Sequence, residues 1–142
     1  MPMSILALDL GSQRVGVAVS DELNLIAHPM GRISFGQKTL FFKRLTEIIE
    51  ERKVREVVVG LPVNMNGSLG AKAKETLEIV EQMRELLKIP VHLFDERLTT
   101  KQGERLLIEM DRSRKARKRA IDSFSAQILL QDYLDRLRKD NA

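Results

Sequence analysis

Apolar and polar positions alternate along the stretch from Ile5 to Asp21, ILALDLGSQRVGVAVSD, and one residue breaks the pattern. Alternation sets Ile5, Ala7 and Asp9 on one face of a strand and Leu6, Leu8 and Leu10 on the other, so a carboxylate stands on a face otherwise meant for burial. It cannot stay there charged without a cation or hydrogen-bond donors. Gly11 and Ser12 permit a turn, and a second strand runs Arg14 to Ser20, with Val15, Val17 and Val19 on one face and Gly16, Ala18 and Ser20 on the other. The small-residue face leaves room beside Asp9. Leu25 to Ile33 reads as a third strand, which Pro29 assigns to a sheet edge because it lacks a ladder donor.

Farther on the period changes. Phe41, Leu45, Ile48 and Ile49 recur at i, i+4, i+7 and i+8, which predicts an amphipathic helix from Thr39 to about Arg52. Glu56 to Gly60, EVVVG, is β-branched without alternation, as a strand buried on both faces of a parallel sheet should be. Leu61 to Gly70 is a loop rich in turn residues, and Ala71 to Leu87 resumes helical spacing through Thr76, Ile79, Val80, Met83 and Leu86 before Pro90. Val91 to Glu96 is a fifth strand. Thr99 and Gln102 form a capping box for a helix reaching about Met110, Arg112 to Arg119 reads as a basic linker, and a last helix spans Ala120 to about Arg138. A meander followed by βαβ crossovers makes an α/β chain with one mixed sheet and helices on both faces, over residues 1–142 as a single domain.

Composition narrows the class. A chain of 142 residues suits one domain that buries about two-thirds of its unfolded surface. The start lacks the pattern of a signal peptide and no apolar run reaches membrane-spanning length, so no membrane partner is expected. The absence of cysteine excludes disulfides and thiolate metal sites and fits a cytoplasmic protein. The net charge is only +4, so its distribution matters more than its size.

Two further elements bring acids to join Asp9. Val91, Leu93 and Asp95 share one strand face and His92, Phe94 and Glu96 the other, which leaves Asp95 and Glu96 at the strand's carboxyl end, where open α/β sheets bind ligands. Asp122 lies in the first turn of the last helix, with small Ser125 and Ala126 beside it to let that helix approach the sheet. Each acid has an ordinary reading: Asp9 as a turn residue held by the amides of Gly11 and Ser12, Asp95 or Glu96 as a partner of Arg97 or a helix cap, Asp122 as a charge at a helix start. Taken together, three acids from three elements make a hard-oxygen site suited to Mg²⁺ or Mn²⁺. Two such ions could activate water and stabilise a leaving oxygen in attack on a phosphodiester.

Six of the eight residues from Arg112 to Arg119 are basic: Arg112, Arg114, Lys115, Arg117, Lys118 and Arg119. A one-signed run next to an acidic site points to nucleic-acid phosphates rather than to a solvated face. Lys118, one helical turn before Asp122, is the candidate to hold the scissile phosphate and, with Asp95, to assist catalysis. Arg14 and Arg97 join the nucleic-acid-binding set, as do Asn64 and Asn66 in the loop, whose following helix start could receive a phosphate. Gly60, Pro62 and Gly67 read as shaping that loop, and His28 and His92 as structural. With aromatics at 4%, recognition should rest on backbone and shape.

The segments LALDLGSQRVGVAVSD, VVVGLPVNMNGS, FDERLTT and KRAIDSFSAQILLQDYLD, in this order, resemble the YqgF family of small ribonuclease H-like proteins related to RuvC-type Holliday junction resolvases. The resemblance covers nearly the whole chain. It implies a ribonuclease H-like five-stranded mixed sheet, first three strands antiparallel, in the order 3-2-1-4-5. It further implies that Asp9, Glu96 and Asp122 are the catalytic and metal-binding carboxylates, with a ribosomal RNA precursor or branched DNA as substrate; a monomer or weak homodimer is expected. Asn66 departs from the acid often found before Gly67 in the family. Within this frame the chain reads as a metal-dependent endonuclease in 5′ maturation of the small-subunit ribosomal RNA precursor. The alternatives are a junction-resolving DNA nuclease or a non-catalytic RNA-binding ribosome assembly factor. DLGSQRVGVAVSD also resembles the phosphate hairpin of sugar kinases and actin-like proteins, but Val17 and Ala18 replace the Lys and Ser/Thr of a P-loop and that fold needs two domains.

Overall fold

The computed structural model describes residues 4–11, 13–98 and 114–140, the side chains of 114–124 excepted. Strands β1 (Ser4–Leu10), β2 (Arg14–Ser20), β3 (Ala27–Ser34), β4 (Val54–Leu61) and β5 (Val91–Asp95) form one sheet in the order β3-β2-β1-β4-β5. β1 pairs antiparallel with β2 and β2 with β3, whereas β4 runs parallel to both β1 and β5. The described helices are α1 (Lys38–Arg52), α2 (Ala71–Leu86) and α3 (Arg114–Asp140), with a 3₁₀ turn at Glu96–Leu98.

Alternation decides which helix covers which face. Leu6, Leu8 and Leu10 of β1 and Val15, Val17 and Val19 of β2 pack with Phe41, Leu45 and Ile48 of α1 and Ile79, Val80 and Met83 of α2. Ile5 and Ala7, with Ala18, Val58 and Phe94, face Ala126, Leu129, Leu130 and Leu134 of α3 instead. Helices therefore lie on both faces. Residues Ile5 to Leu8 are wholly buried between them, which makes β1 the axis of the fold.

The differences from the expected elements are local. β3 begins at Ala27 rather than Leu25, because the Asp21 carboxylate accepts the amides of Leu25 and Ile26 and holds them in a turn. β4 starts two residues earlier than expected, at Val54, and Glu96 opens a 3₁₀ turn instead of closing β5. The basic segment is no linker from Arg114 onward: α3 starts there, since Arg, Lys and Ala are strong helix formers and nothing in the run breaks a helix. Asp122 consequently lies in the third turn of α3, not in its first. The helix expected from Thr99 to Met110, together with Arg112, lies outside the described residues.

Side chains complete the ladder at the edge. The buried amide of Ile5 donates to Ser20 Oγ at 2.8 Å, and that hydroxyl donates to Asn24 Oδ1 at 2.8 Å, which closes the turn after β2. Gln131 fixes α3 to β3 by accepting from the Ala27 amide and donating to the Leu25 carbonyl. Ser20→Ala should strand the Ile5 amide and lower stability by about 1–3 kcal/mol in urea unfolding.

Candidate active site

Asp9 stands near the carboxyl end of the central strand with a glycine on each side. It pairs across β2 with Gly16, while the Leu8–Val59 register carries Gly60 of β4 to its other flank. Gly60 is part of β4 rather than of the turn, and its missing side chain is needed. A Cβ there would lie 2.6 Å from Glu96 Oε1 and 2.6 Å from Leu129 Cδ1. The space of one side chain is thus filled by the Glu96 carboxyl under the cover of α3.

That placement brings two acids together. The Asp9 and Glu96 carboxyls lie within hydrogen-bonding reach of each other. Burial, then the bond to and charge of Asp9, then the charge of Asp95, push the Glu96 carboxyl up to about 7, and Lys72 in the first turn of α2 opposes the rise. The amides of the turn do not answer the charge of Asp9 at Gly11, whose N–H donates to the Arg14 carbonyl at 2.9 Å. Ser12 lies outside the described residues.

Asp95, next in sequence to Glu96, has a different task. Arg97 donates to it from the side chain (Nη2 to Oδ2, 2.7 Å) and from the backbone amide (2.9 Å), which holds the Asp95 carboxyl below its usual range despite some burial. The same guanidinium reaches the Met65 carbonyl at 3.5 Å. Of the two adjacent acids, Asp95 therefore caps and pairs, and Glu96 meets Asp9.

The other candidates are placed as follows. Asn64 and Asn66 are exposed but engaged within their own loop: Asn64 Nδ2 donates to Ser68 Oγ at 3.0 Å, and Asn66 Oδ1 accepts the Ser68 amide at 3.0 Å. Arg14 is exposed at the start of β2, at the same sheet edge as Asp9. Arg114, Lys115, Arg117, Lys118 and Arg119 lie on the first turns of α3 and Asp122 follows four residues before the buried Ala126, but the side chains of this segment lie outside the described residues. Among the described residues no group of three acids or histidines suited to a metal ion occurs. His92 pairs with Glu56 and stacks on Tyr133, whose hydroxyl donates to Glu56 and is pushed up to about 12, foremost by burial.

Sequence reasoning assigned no site role to three residues. Gly60 carries a signal in retrospect, as the one small residue in EVVVG. Lys72 carries none. Arg32 pairs with Gly16 and so stands in the row of Asp9, a position set by the strand irregularity at Met30 and Gly31, where Gly31 adopts φ +90°.

A five-stranded ribonuclease H-like sheet with a carboxyl pair at the carboxyl end of its central strands defines the class. The chain belongs to the RuvX family, described as Holliday junction resolvase, whose model matches residues 3–136. A relative from Caldanaerobacter subterraneus, described as "Putative pre-16S rRNA nuclease", is 46% identical over 134 residues, covering 94% of this chain and 96% of its own. A relative of the same description from Bacillus cereus is 43% identical over 136 residues, covering 94% of this chain and 99% of its own. Among solved structures, Thermus thermophilus RuvC in complex with Holliday junction substrate superposes with a TM-score of 0.69 at 15% identity, over 99% of this chain and 98% of that one.

Two outcomes follow for the apo protein. A carboxyl whose folded pKa lies above its unfolded value holds its proton more tightly when folded, so its contribution is full below pH 4.5 and is lost as pH rises through about 7. Glu96→Gln should remove that loss and raise stability at pH 8 by roughly 1–2 kcal/mol, discounted for the solvent that reaches the group, as read by chemical unfolding across pH. Gly60→Ala should do the reverse, costing about 1–3 kcal/mol by overpacking against Glu96 and Leu129.

Proposed function

We propose that this chain is a metal-dependent endonuclease that hydrolyses phosphodiester bonds in 5′ maturation of the small-subunit ribosomal RNA precursor. The observation that carries the reading is the close pair of Asp9 and Glu96, with the Glu96 carboxyl seated in the space that Gly60 leaves beside Asp9 under Leu129. Like charges so close are held at a cost that a cation removes. The donors are hard oxygens, which fits Mg²⁺ or Mn²⁺ in one or two sites held by Asp9, Glu96 and Asp122. Bound there, the cation would polarise the phosphodiester and the attacking water.

The chain's own residues supply the rest. Arg97, which follows Glu96 in the chain, has its guanidinium oriented by Asp95, and Asp95 is thereby a positioning residue. Arg14, Arg112 and the basic first turns of α3 from Arg114 to Arg119, with Lys118 foremost, bind the nucleic-acid backbone. Asn64 and Asn66 shape the loop that borders it. The protein acts as a single domain in the cytoplasm, as a monomer or weak homodimer. No described helix is long and apolar enough to cross a membrane.

A second substrate, branched DNA, is favoured by the family description and by the superposition on a junction resolvase. Cleavage of ribosomal RNA precursor, single-stranded RNA and four-way DNA junctions, assayed in parallel with Mg²⁺, separates the two. Asp9→Asn should lower cleavage by a factor on the order of 10³, as loss of several kcal/mol of transition-state stabilisation implies, while folding and nucleic-acid affinity stay near those of the parent. Undiminished cleavage by that variant would sink the mechanism.

A further inference from the structure

The sheet face that α3 covers gains an arginine that alternation alone would not give it. Val19 pairs with His28 and Ala18 with Pro29, but Val17 pairs with Gly31, so β3 carries one residue more than β2 over this stretch. Counted in twos from Ala27 and Pro29, which share the face of Ala18, the strand would next set Gly31 and Ile33 on that face and Arg32 on the opposite one. The opposite face is the core of leucines and valines under α1 and α2, where a guanidinium is costly to bury. The extra residue reverses the parity. Met30 and Ile33 pack against that core, and Arg32, paired with Gly16, comes to the face of Asp9 and is exposed. Gly31 meets the geometry with φ +90°, a conformation that strains any residue with a side chain. Irregularities of this kind re-aim side chains beside active sites.

Asp9, Gly16 and Arg32 form one row across β1, β2 and β3. Gly16 sets no side chain of its own between the other two, and two strand spacings, about 10 Å, separate their backbones. Arg14 lies on the same face two residues before Gly16 and pairs with Ser34, which makes it the diagonal neighbour of Arg32. Diagonal neighbours on a sheet lie about 7–8 Å apart, within reach of each other's long side chains. Two arginines from adjacent strands thus stand beside the carboxyl pair on its β2 side, away from Gly60 and β4.

We infer that Arg32 binds the backbone phosphate next to the scissile one, and that the strand carrying the cut leaves Asp9 and Glu96 across β2 toward β3. The inference rests on the nuclease reading above and adds to it the direction of the substrate strand. A guanidinium fork matches two phosphate oxygens, and an anion between Arg14 and Arg32 offsets the repulsion of like charges held so close. Contacts of this kind set register without reading sequence. Arg32 therefore helps to fix which phosphodiester meets the carboxyls.

The test measures binding by the full chain carrying Asp9→Asn, with cleavage suppressed, to a four-way DNA junction and to an RNA hairpin. One phosphate at a time along each substrate is made an uncharged methylphosphonate, and the cut is located with the parent chain. Adding Arg32→Gln should weaken binding of the unmodified substrate about fivefold and lower the slope of log Kd against log salt by about one, as loss of one phosphate contact implies. At the phosphate next to the scissile one, the methylphosphonate should weaken the Asp9→Asn chain by that same factor and the double variant no further. At every other position the two losses should multiply. Losses that multiply at all positions, unchanged affinity and slope in the Arg32→Gln variant, or coupling at a phosphate more distant from the cut overturn the inference. A merely structural role for Arg32 would move affinity without the coupling. If the parent chain cuts nothing, the nuclease reading falls, and the coupling in the bound complex still decides whether Arg32 holds a phosphate.

Discussion

Two carboxyl groups that would repel each other in water are set close together, and the surrounding structure is arranged to keep them there. β1 sets Asp9 directly after the wholly buried residues Ile5 to Leu8, and the parallel pairing with β4 sets Gly60 at its side. The turn after β5 then swings Glu96 into the gap, and Leu129 of α3 closes it from above. Larger side chains at position 60 would evict the carboxyl or the helix. Each neighbour is thus small or apolar for the same reason, that the pair leaves no room for anything else.

The apolar faces of the sheet explain why this arrangement persists. On one side α1 and α2 pack against leucines and valines in an ordinary interior, with no polar demand. On the other, α3 packs against Ile5, Ala7 and Ala18, small enough for a close approach, and is tied to β3 by Gln127 and Gln131. The helix that shields the carboxyls is therefore anchored at the far edge of the sheet, away from them. Stability and site chemistry are carried by different contacts of a single helix.

Much of this was legible from residue order. Alternation placed Asp9 among Ile5 and Ala7 because β1 and β2 present distinct faces to distinct helices, so the period of two survives in the sequence. Pro29 correctly marked the edge strand, and the strand order matched the one that the family resemblance implied. What could not be read was set across the chain rather than along it. Gly60 looks like a turn residue until Glu96, 36 positions later, is seen to occupy its missing side chain. The basic run read as a linker, yet arginine and lysine favour helix strongly enough to begin α3 at Arg114. Asp21 shortened β3 through two amide bonds that no alternation pattern announces.

Asp95 and Glu96 show most clearly how environment assigns a role. The two are adjacent and both carboxylic acids, so sequence alone treats them nearly alike. One meets a guanidinium and an amide and is held below its usual range; the other meets a carboxyl in a dry gap and is raised to about 7. Titratable groups whose surroundings push them apart mark divided labour. Arg97 joins the two halves of that division, since the residue that neutralises Asp95 also reaches the loop carbonyl beyond it. A charge spent on structure at Asp95 fixes the loop through Arg97, and Glu96 is left outside that clamp to meet Asp9.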